Sequence, residues 1–421
     1  MAIVIAGAGH AGVQAADSLR AEGVEGRIIL LDRDEALPYQ RPPLSKDGLA
    51  GGLDPLPLRG AAFYGDHGIE LRLGEGLAGI DAGARTATTS AGERIRYDEL
   101  ILATGAEARP FDGPGAGLDG VCALRTAADA EQLKGELERA ARAVVLGTGY
   151  IGLEFAAVAA ARGLEVTVVA RGDRVLRRSA SAPIAARLER GLEEVGVRIV
   201  RGDAPAEIVA DADGRRAAGV RLASGERIPA DLVVVGIGIA EPGHLAAAAG
   251  ICEAHGVRTD ELLRTSAEGV WAIGDLAVFP SPVDGRPIRV ESVQHAGDSA
   301  KAVARTIAGA PTPYRATPWF WSVQGGLKLQ TAGIVGDADE TVLRGDPDGA
   351  MSVVSFRGGE VLAVESIASP AEHMAGRSIV AARGGGLTPA QAADPAFDLK
   401  AFGRELAAAA KAARPGGAAA A

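Results

Sequence analysis

Cysteine is nearly absent from this chain. Cys122 and Cys252 are the only two, and they lie far apart in sequence. That pattern excludes a CxxC motif, a disulfide framework and a thiolate metal site. The six histidines show no metal-ligand spacing. Long apolar runs are missing too: no window reaches the ~18 residues of a membrane span. The start "MAIVIAGAGHAG" carries no basic n-region or cleavage site and reads as a first β-strand. A cytoplasmic location without membrane attachment is therefore expected. Basic charge is not in excess: Lys and Arg number 44 against 54 Asp and Glu, a net charge of -10. That argues against a general nucleic-acid binder.

What the chain does have is length and glycine. Its 421 residues suffice for about three domains of ~150 residues each. Many of the 58 glycines fall into two copies of one pattern. "IVIAGAGHAG" is an apolar strand entering Gly7, Gly9, Ala11 and Gly12, followed by a helical stretch and the strand "RIILL". "AVVLGTGYIG" repeats it with Gly147, Gly149, Tyr150, Ile151 and Gly152, a helix and the strand "EVTVVA". Such glycines allow a tight turn and a close backbone approach, so a pyrophosphate can sit on the helix N-terminus. The strand–turn–helix–strand context confirms both copies as dinucleotide sites.

The copies differ where the second strand ends. After "IILL" stands Asp32, with Asp34 as an alternative; either could accept the ribose hydroxyls of an adenosine. The corresponding place in the second copy is Ala170, followed by Arg171 and, further on, Arg177. Loss of the acid removes the 2′-hydroxyl acceptor, while the two arginines suit a 2′-phosphate. The first site thus looks built for a flavin adenosine and the second for NADPH rather than NADH.

Two further strand ends, Ala103-Thr104-Gly105 and Gly274-Asp275, place small residues and an acid where a cofactor could come close. Their order around the second copy implies that one nucleotide domain interrupts the other. The fold class is α/β: two Rossmann-like, three-layer dinucleotide-binding domains plus a C-terminal α+β domain. The expected boundaries are 1–108 and 231–311 for the FAD domain and 109–230 for the NAD(P) domain. A C-terminal domain at 312–405 and a disordered tail at 406–421 complete the chain. Within the third domain "TVLRGD", "AMSVVSF" and "EVLAVESIA" alternate like antiparallel strands, with helices after them. The early stretch "PYQRPPLSK" packs three prolines into nine residues and reads as a stiff, non-helical arm up to Pro43.

Taken together, "GAGHAG", "PYQRPPLSK", "ATG", "GTGYIGLE", "AIGD", "PWFWS" and the stretch from "SPAEHMAGRSIV" to "AFDLK" are specific. From residue 2 to about 403 the chain resembles the flavin-dependent ferredoxin reductases that feed bacterial oxygenases, which are glutathione-reductase-like in fold. The resemblance implies FAD and NAD(P)H as cofactors and an iron–sulfur ferredoxin or rubredoxin as acceptor, in a monomer or homodimer. It also implies that the proline arm runs under the flavin, with Arg41 near the cofactor and Lys46 approaching the reactive N5, paired with Glu154. Leu77, Arg125, Asp275 and Val293 would touch FAD, Gly238 would line a cofactor site, and Trp321 would lie where electrons leave. Lys46, Glu154 and Trp321 would carry the chemistry. A cation at N5 stabilises the negative charge of reduced flavin.

Three positions depart from the family pattern: Arg33 and Ala170 stand where an acid is usual, and "SVQGG" follows the tryptophan where Ser-Asp-Gln-Tyr is usual. Disulfide reductases and peroxidases of this fold need a flavin-side cysteine, and the first helix and arm contain none. An alternative from another class is a flavin-bound redox-signalling or scaffold protein of the apoptosis-inducing type. His10 reads as a neutral loop residue, and His295 and His373 as structural or surface groups.

Overall fold

The computed structural model describes residues 1–50, 56–240, 243–252 and 255–413. The chain divides into two compact units. One is Met1–Pro43, Asp54–Glu107 and Ile239–Ala316; the other is Leu44–Leu53, Ala108–Gly238 and Thr317–Ala421.

The first unit is built on a five-stranded parallel sheet. Its order is Val270–Ala272, Glu99–Leu102, Ala2–Ala6, Arg27–Leu31, Ile69–Arg72. Ile3 pairs with Ile28 and Glu99, so the earliest strand lies at the centre. These strands read as near-continuous apolar runs because both faces are covered: Val4, Ile5, Leu30, Leu100 and Ile101 are all fully buried. Two three-stranded sheets accompany it, Leu77–Asp81 with Thr86–Thr89 and Arg94–Arg96, and Val257–Arg258 with Ala277–Pro280 and Pro287–Arg289.

In the second unit a parallel sheet runs Val197–Arg201, Glu165–Ala170, Arg142–Leu146, Leu232–Val235, Val121–Cys122. The strand Leu232–Val235 moves the domain boundary expected at 231. It is wholly buried and pairs in parallel with Arg142–Leu146, so it completes the second sheet rather than returning to the first. The C-terminal part is a five-stranded antiparallel sheet ordered Trp319–Gln324, Leu327–Gly333, Glu360–Ile367, Met351–Arg357, Glu340–Gly345. Helices Pro370–Ala381 and Leu399–Ala412 follow it.

Two local expectations change. Residues 406–412, assigned to a disordered tail, continue the last helix. Asp398 caps its start by accepting from the N–H groups of Lys400 and Ala401, and Leu406 packs on the apolar core. Ala413 ends that helix as its C-cap, and the rest of the tail, 414–421, lies outside the described residues. The proline arm, expected to be non-helical up to Pro43, already forms a short 3-10 helix at Pro42–Ser45.

Candidate functional site

In the first unit the strand Ala2–Ala6 enters the helix His10–Ala21 through the glycine turn. Gly9 caps that helix with no side-chain bond to its first N–H groups. The three glycines are needed for different reasons. Gly7 has φ +101°, and a Cβ there would meet the Ala103 carbonyl oxygen at 2.4 Å; on Gly12 it would meet the Gly7 oxygen at 1.8 Å. On Gly9 the nearest atom would be Arg41 Nε, 3.9 Å away. Protein packing therefore demands glycine at the first and third positions only. At the middle one a Cβ would fill space open to a ligand backbone, which is where a pyrophosphate lies against such a turn.

The second unit repeats this geometry. A Cβ on Gly147 would meet the Gly236 oxygen at 2.4 Å; on Gly152 it would meet the Val145 side chain at 3.2 Å, a tight contact rather than the backbone clash found at Gly12. On Gly149 it would meet nothing among the described residues nearer than 3.9 Å. Both cradles fit a dinucleotide by the same test.

Around the first cradle the structure gathers Ala103, Gly274 and Ala11. A Cβ on Gly274, at φ +65°, would come within 3.0 Å of the Ala11 methyl, so small residues let the strand ends converge. Asp32 leaves its strand with Oδ2 accepting the Ala8 N–H at 3.1 Å, beside the glycine turn. Burial raises its pKa, opposed by bonds from the Asp34 and Ala8 N–H groups and by the Arg41 charge. Asp34 turns elsewhere: it accepts from Tyr39 Oη at 2.9 Å and from the Ala36 N–H at 3.1 Å. Arg33 points to Glu107 in an exposed ion pair. Leu77 begins an edge strand and is half-buried, as are Asp275 and Val293, whereas Thr104 is exposed. Lys46, Arg125 and Trp321 are grouped with the second unit, unlike the other residues expected at the flavin.

In that unit Lys46 Nζ lies 2.8 Å from Glu154 Oε2, a pair 108 residues apart in sequence. Gly147 N–H donates to the Val169 oxygen as Gly7 N–H does to that of Leu31, which makes Ala170 the counterpart of Asp32. Ala170 is fully buried, and Arg171 and Arg177 are exposed. Arg177 lies across Gly172, 3.4 Å from where a Cβ would be, and its Nε is 3.8 Å from Asp173. Such an exposed pair holds the guanidinium only weakly.

Sequence reasoning missed what shapes this loop. Arg174 donates to the carbonyls of Ala180 and Arg177, both at 3.0 Å. Tyr150 Oη donates to the Ser179 oxygen at 2.9 Å, and the Ser181 N–H reaches both oxygens of Glu365. It also missed the aromatic neighbourhood of Trp321. Trp319 lies 5.9 Å from it, with the Arg377 guanidinium 4.5 Å over the Trp319 ring. His295 and His373 are both buried, which lowers each pKa to about 4. His10 begins the first helix. No group of His, Cys, Asp and Glu among the described residues could hold a metal ion, and no described helix is long and apolar enough to cross a membrane.

Two cofactor cradles in one chain, each opening a parallel sheet, define a dinucleotide-linked oxidoreductase. Residues 1–300 match the model of the pyridine nucleotide-disulphide oxidoreductase family, and residues 319–403 match that of the reductase C-terminal domain. The chain belongs to that family, as one of its ferredoxin-reductase-type members, and the family pairs FAD with NAD(P)H. It is 45% identical over 403 residues to rhodocoxin reductase of Rhodococcus erythropolis, covering 95% of this chain and 94% of that one. The structure of the ferredoxin reductase for the CYP199A2 system from Rhodopseudomonas palustris aligns with a TM-score of 0.92 at 42% identity, covering 95% and 99% of the two chains. A covalent putidaredoxin reductase–putidaredoxin complex aligns at 0.91 and 35% identity, covering 98% and 99%.

Proposed function

We infer that this chain is a flavoprotein reductase that takes electrons from NAD(P)H and passes them one at a time to an iron–sulfur ferredoxin or a rubredoxin serving an oxygenase. The observation that carries the reading is the pair of cradles in which a Cβ on the middle glycine, Gly9 or Gly149, would meet no non-adjacent atom of the described residues closer than 3.9 Å. When bound, FAD accepts two electrons as a hydride and can release them singly.

Asp32, not Asp34, holds the ribose of FAD in this reading, because its carboxylate lies against the Ala8 N–H of the glycine turn, whereas that of Asp34 turns to Tyr39 and Ala36. The first glycine turn, Arg41, Ala103, Thr104, Gly105, Gly274, Asp275, Val293, Leu77 and Arg125 are the proposed remainder of the FAD site. Lys46 is proposed to present its ammonium to the flavin while Glu154 holds it in place, and Trp321 to mark the electron exit. Gly147, Gly149, Tyr150, Ile151, Gly152 and Gly238 are the proposed nicotinamide-nucleotide residues. Arg171 and Arg177 are proposed to face a 2′-phosphate, so that NADPH is preferred.

The test is a panel of two-iron ferredoxins and rubredoxins, each assayed with NADPH and NADH. The purified protein is expected to be yellow with one FAD per chain and to turn over rapidly with at least one acceptor. A colourless protein that takes up no added FAD refutes the reading. So does a flavoprotein that reduces none of them.

A further inference from the structure

Glu154 is the one acid on the helix Tyr150–Ala161, and it is only 4% exposed. Its partner Lys46 supplies just one of the four donors that described residues bring to the carboxylate. On Oε2 the Lys46 ammonium at 2.8 Å is joined by the Ser45 hydroxyl at 2.5 Å. Oε1 receives the Ser322 hydroxyl at 2.6 Å and, at 3.4 Å, the Val323 N–H. Ser322 is itself 1% exposed and accepts from Gln324 Nε2 at 3.2 Å, which leaves its single proton for Glu154.

A buried carboxylate is costly unless its lone pairs are met, and charge-assisted bonds are the strong ones. Remove Ser322 Oγ, and among the described residues Oε1 keeps only the long Val323 contact. The serine comes from the strand Trp319–Gln324, in which consecutive side chains project to opposite faces. One face carries Trp321; the next residue along reaches Glu154.

We propose that Ser322 is a positioning residue for flavin reduction: it completes the donor set of Glu154 and so fixes how much negative charge the Lys46–Glu154 pair presents. Ser45 has the same role on the other oxygen. This inference rests on the reading of that pair as the polar partner of the flavin. A donor lost from Glu154 leaves its charge less compensated, and the reduced, anionic flavin is then less favoured.

The experiment is a dye-equilibrated titration of the bound flavin in wild type, Ser322→Ala, Ser45→Ala, Glu154→Gln and the Ser322→Ala/Glu154→Gln double variant. FAD content and melting temperature are recorded for each. Ser322→Ala is expected to lower the reduced-to-oxidised ratio at fixed potential several-fold, up to about tenfold, or about 30 mV for a two-electron couple. Ser45→Ala shifts it in the same direction. Glu154→Gln raises the ratio, and the double variant matches Glu154→Gln alone, because Ser322 acts only through the carboxylate. If Glu154→Gln leaves the potential unchanged, the pair does not serve the flavin, and both readings fall. If Glu154→Gln shifts it but Ser322→Ala does not, or shifts it equally in the Gln background, Ser322 is only a packing residue and this inference is overturned. Should Ser322→Ala not fold, an unshifted Ser45→Ala overturns it.

Discussion

Asp32 and Ala170 occupy the same place in two copies of one turn, each following a residue whose carbonyl accepts the first glycine's N–H. A carboxylate there can accept both ribose hydroxyls, and a methyl can accept neither, so NADH loses the contact that rewards it. Arg171 stands next to that methyl and is exposed, while Arg177, also exposed, lies across Gly172 on the same loop. A charge-assisted bond to phosphate contributes ~1.5–3 kcal/mol, which is tenfold or more in affinity. The Michaelis constant for NADPH is therefore expected below that for NADH. Arg171→Met should raise the NADPH constant by about tenfold on the same arithmetic. Ala170→Glu combined with Arg171→Met should reverse the order by restoring the acceptor and removing a cation. Steady-state kinetics with both nucleotides decide it. A wild type that favours NADH, or an Arg171→Met variant indifferent to the change, would place these arginines on the solvent face.

At the level of elements, the strand Glu360–Ile367 is tied to the loop ahead of the helix Ala182–Glu194 by one buried acid. Both Glu365 oxygens accept the Ser181 N–H, at 3.2 and 3.1 Å, at a helix start whose own cap residue makes no side-chain bond. Burial pushes the Glu365 carboxyl up to about 7 from 4.5, opposed by Ser181 and by the charge of Arg174. Because the folded value lies above the unfolded one, the native state binds the extra proton between them. The contribution of Glu365 to stability then falls as pH rises from about 4.5 to about 7 and stays lower above it. Glu365→Gln keeps an acceptor for Ser181 without the charge. It should melt above wild type at pH 8, by up to roughly 3 kcal/mol, and the difference should shrink toward pH 5. Urea melts at the two pH values measure it, and an equal difference at both refutes it. His295 works in the other direction: burial lowers it to about 4 from 6.5, so its contribution is lost as pH falls through that window.

Across the whole molecule, what was legible in sequence was whatever repeats or stays local. The two strand–glycine–helix units stand out because apolar strands buried on both faces and a turn of fixed spacing are written contiguously. The Lys46–Glu154 pair was reached only through resemblance, since nothing local marks a contact spanning 108 positions. Ser322, Arg174 and Glu365 were invisible, because a serine, an arginine and an acid at such positions read as ordinary polar residues until the chain folds. The boundary near 231 failed for a related reason, as a buried parallel strand carries no sign of which sheet it joins. Scarcity of cysteine was the most local fact of all, and it bears on the chemistry of the whole chain. Cys122 is 4% exposed, and burial, then Glu136, pushes its thiol up to about 11. Cys252 donates Sγ–H to the Gly256 oxygen at 2.9 Å, and the two form no disulfide. A thiol held protonated is a poor nucleophile and a poor redox relay. The Cys122→Ala/Cys252→Ser variant should therefore keep its NAD(P)H-driven acceptor turnover and flavin reduction rate. Its stability should drop by about 1 kcal/mol for the small cavity left at Cys122. Stopped-flow flavin reduction together with urea melts separates the two effects. A folded, FAD-loaded double variant that loses reduction or reoxidation would mean that electrons pass through a thiol, contrary to the pathway inferred here.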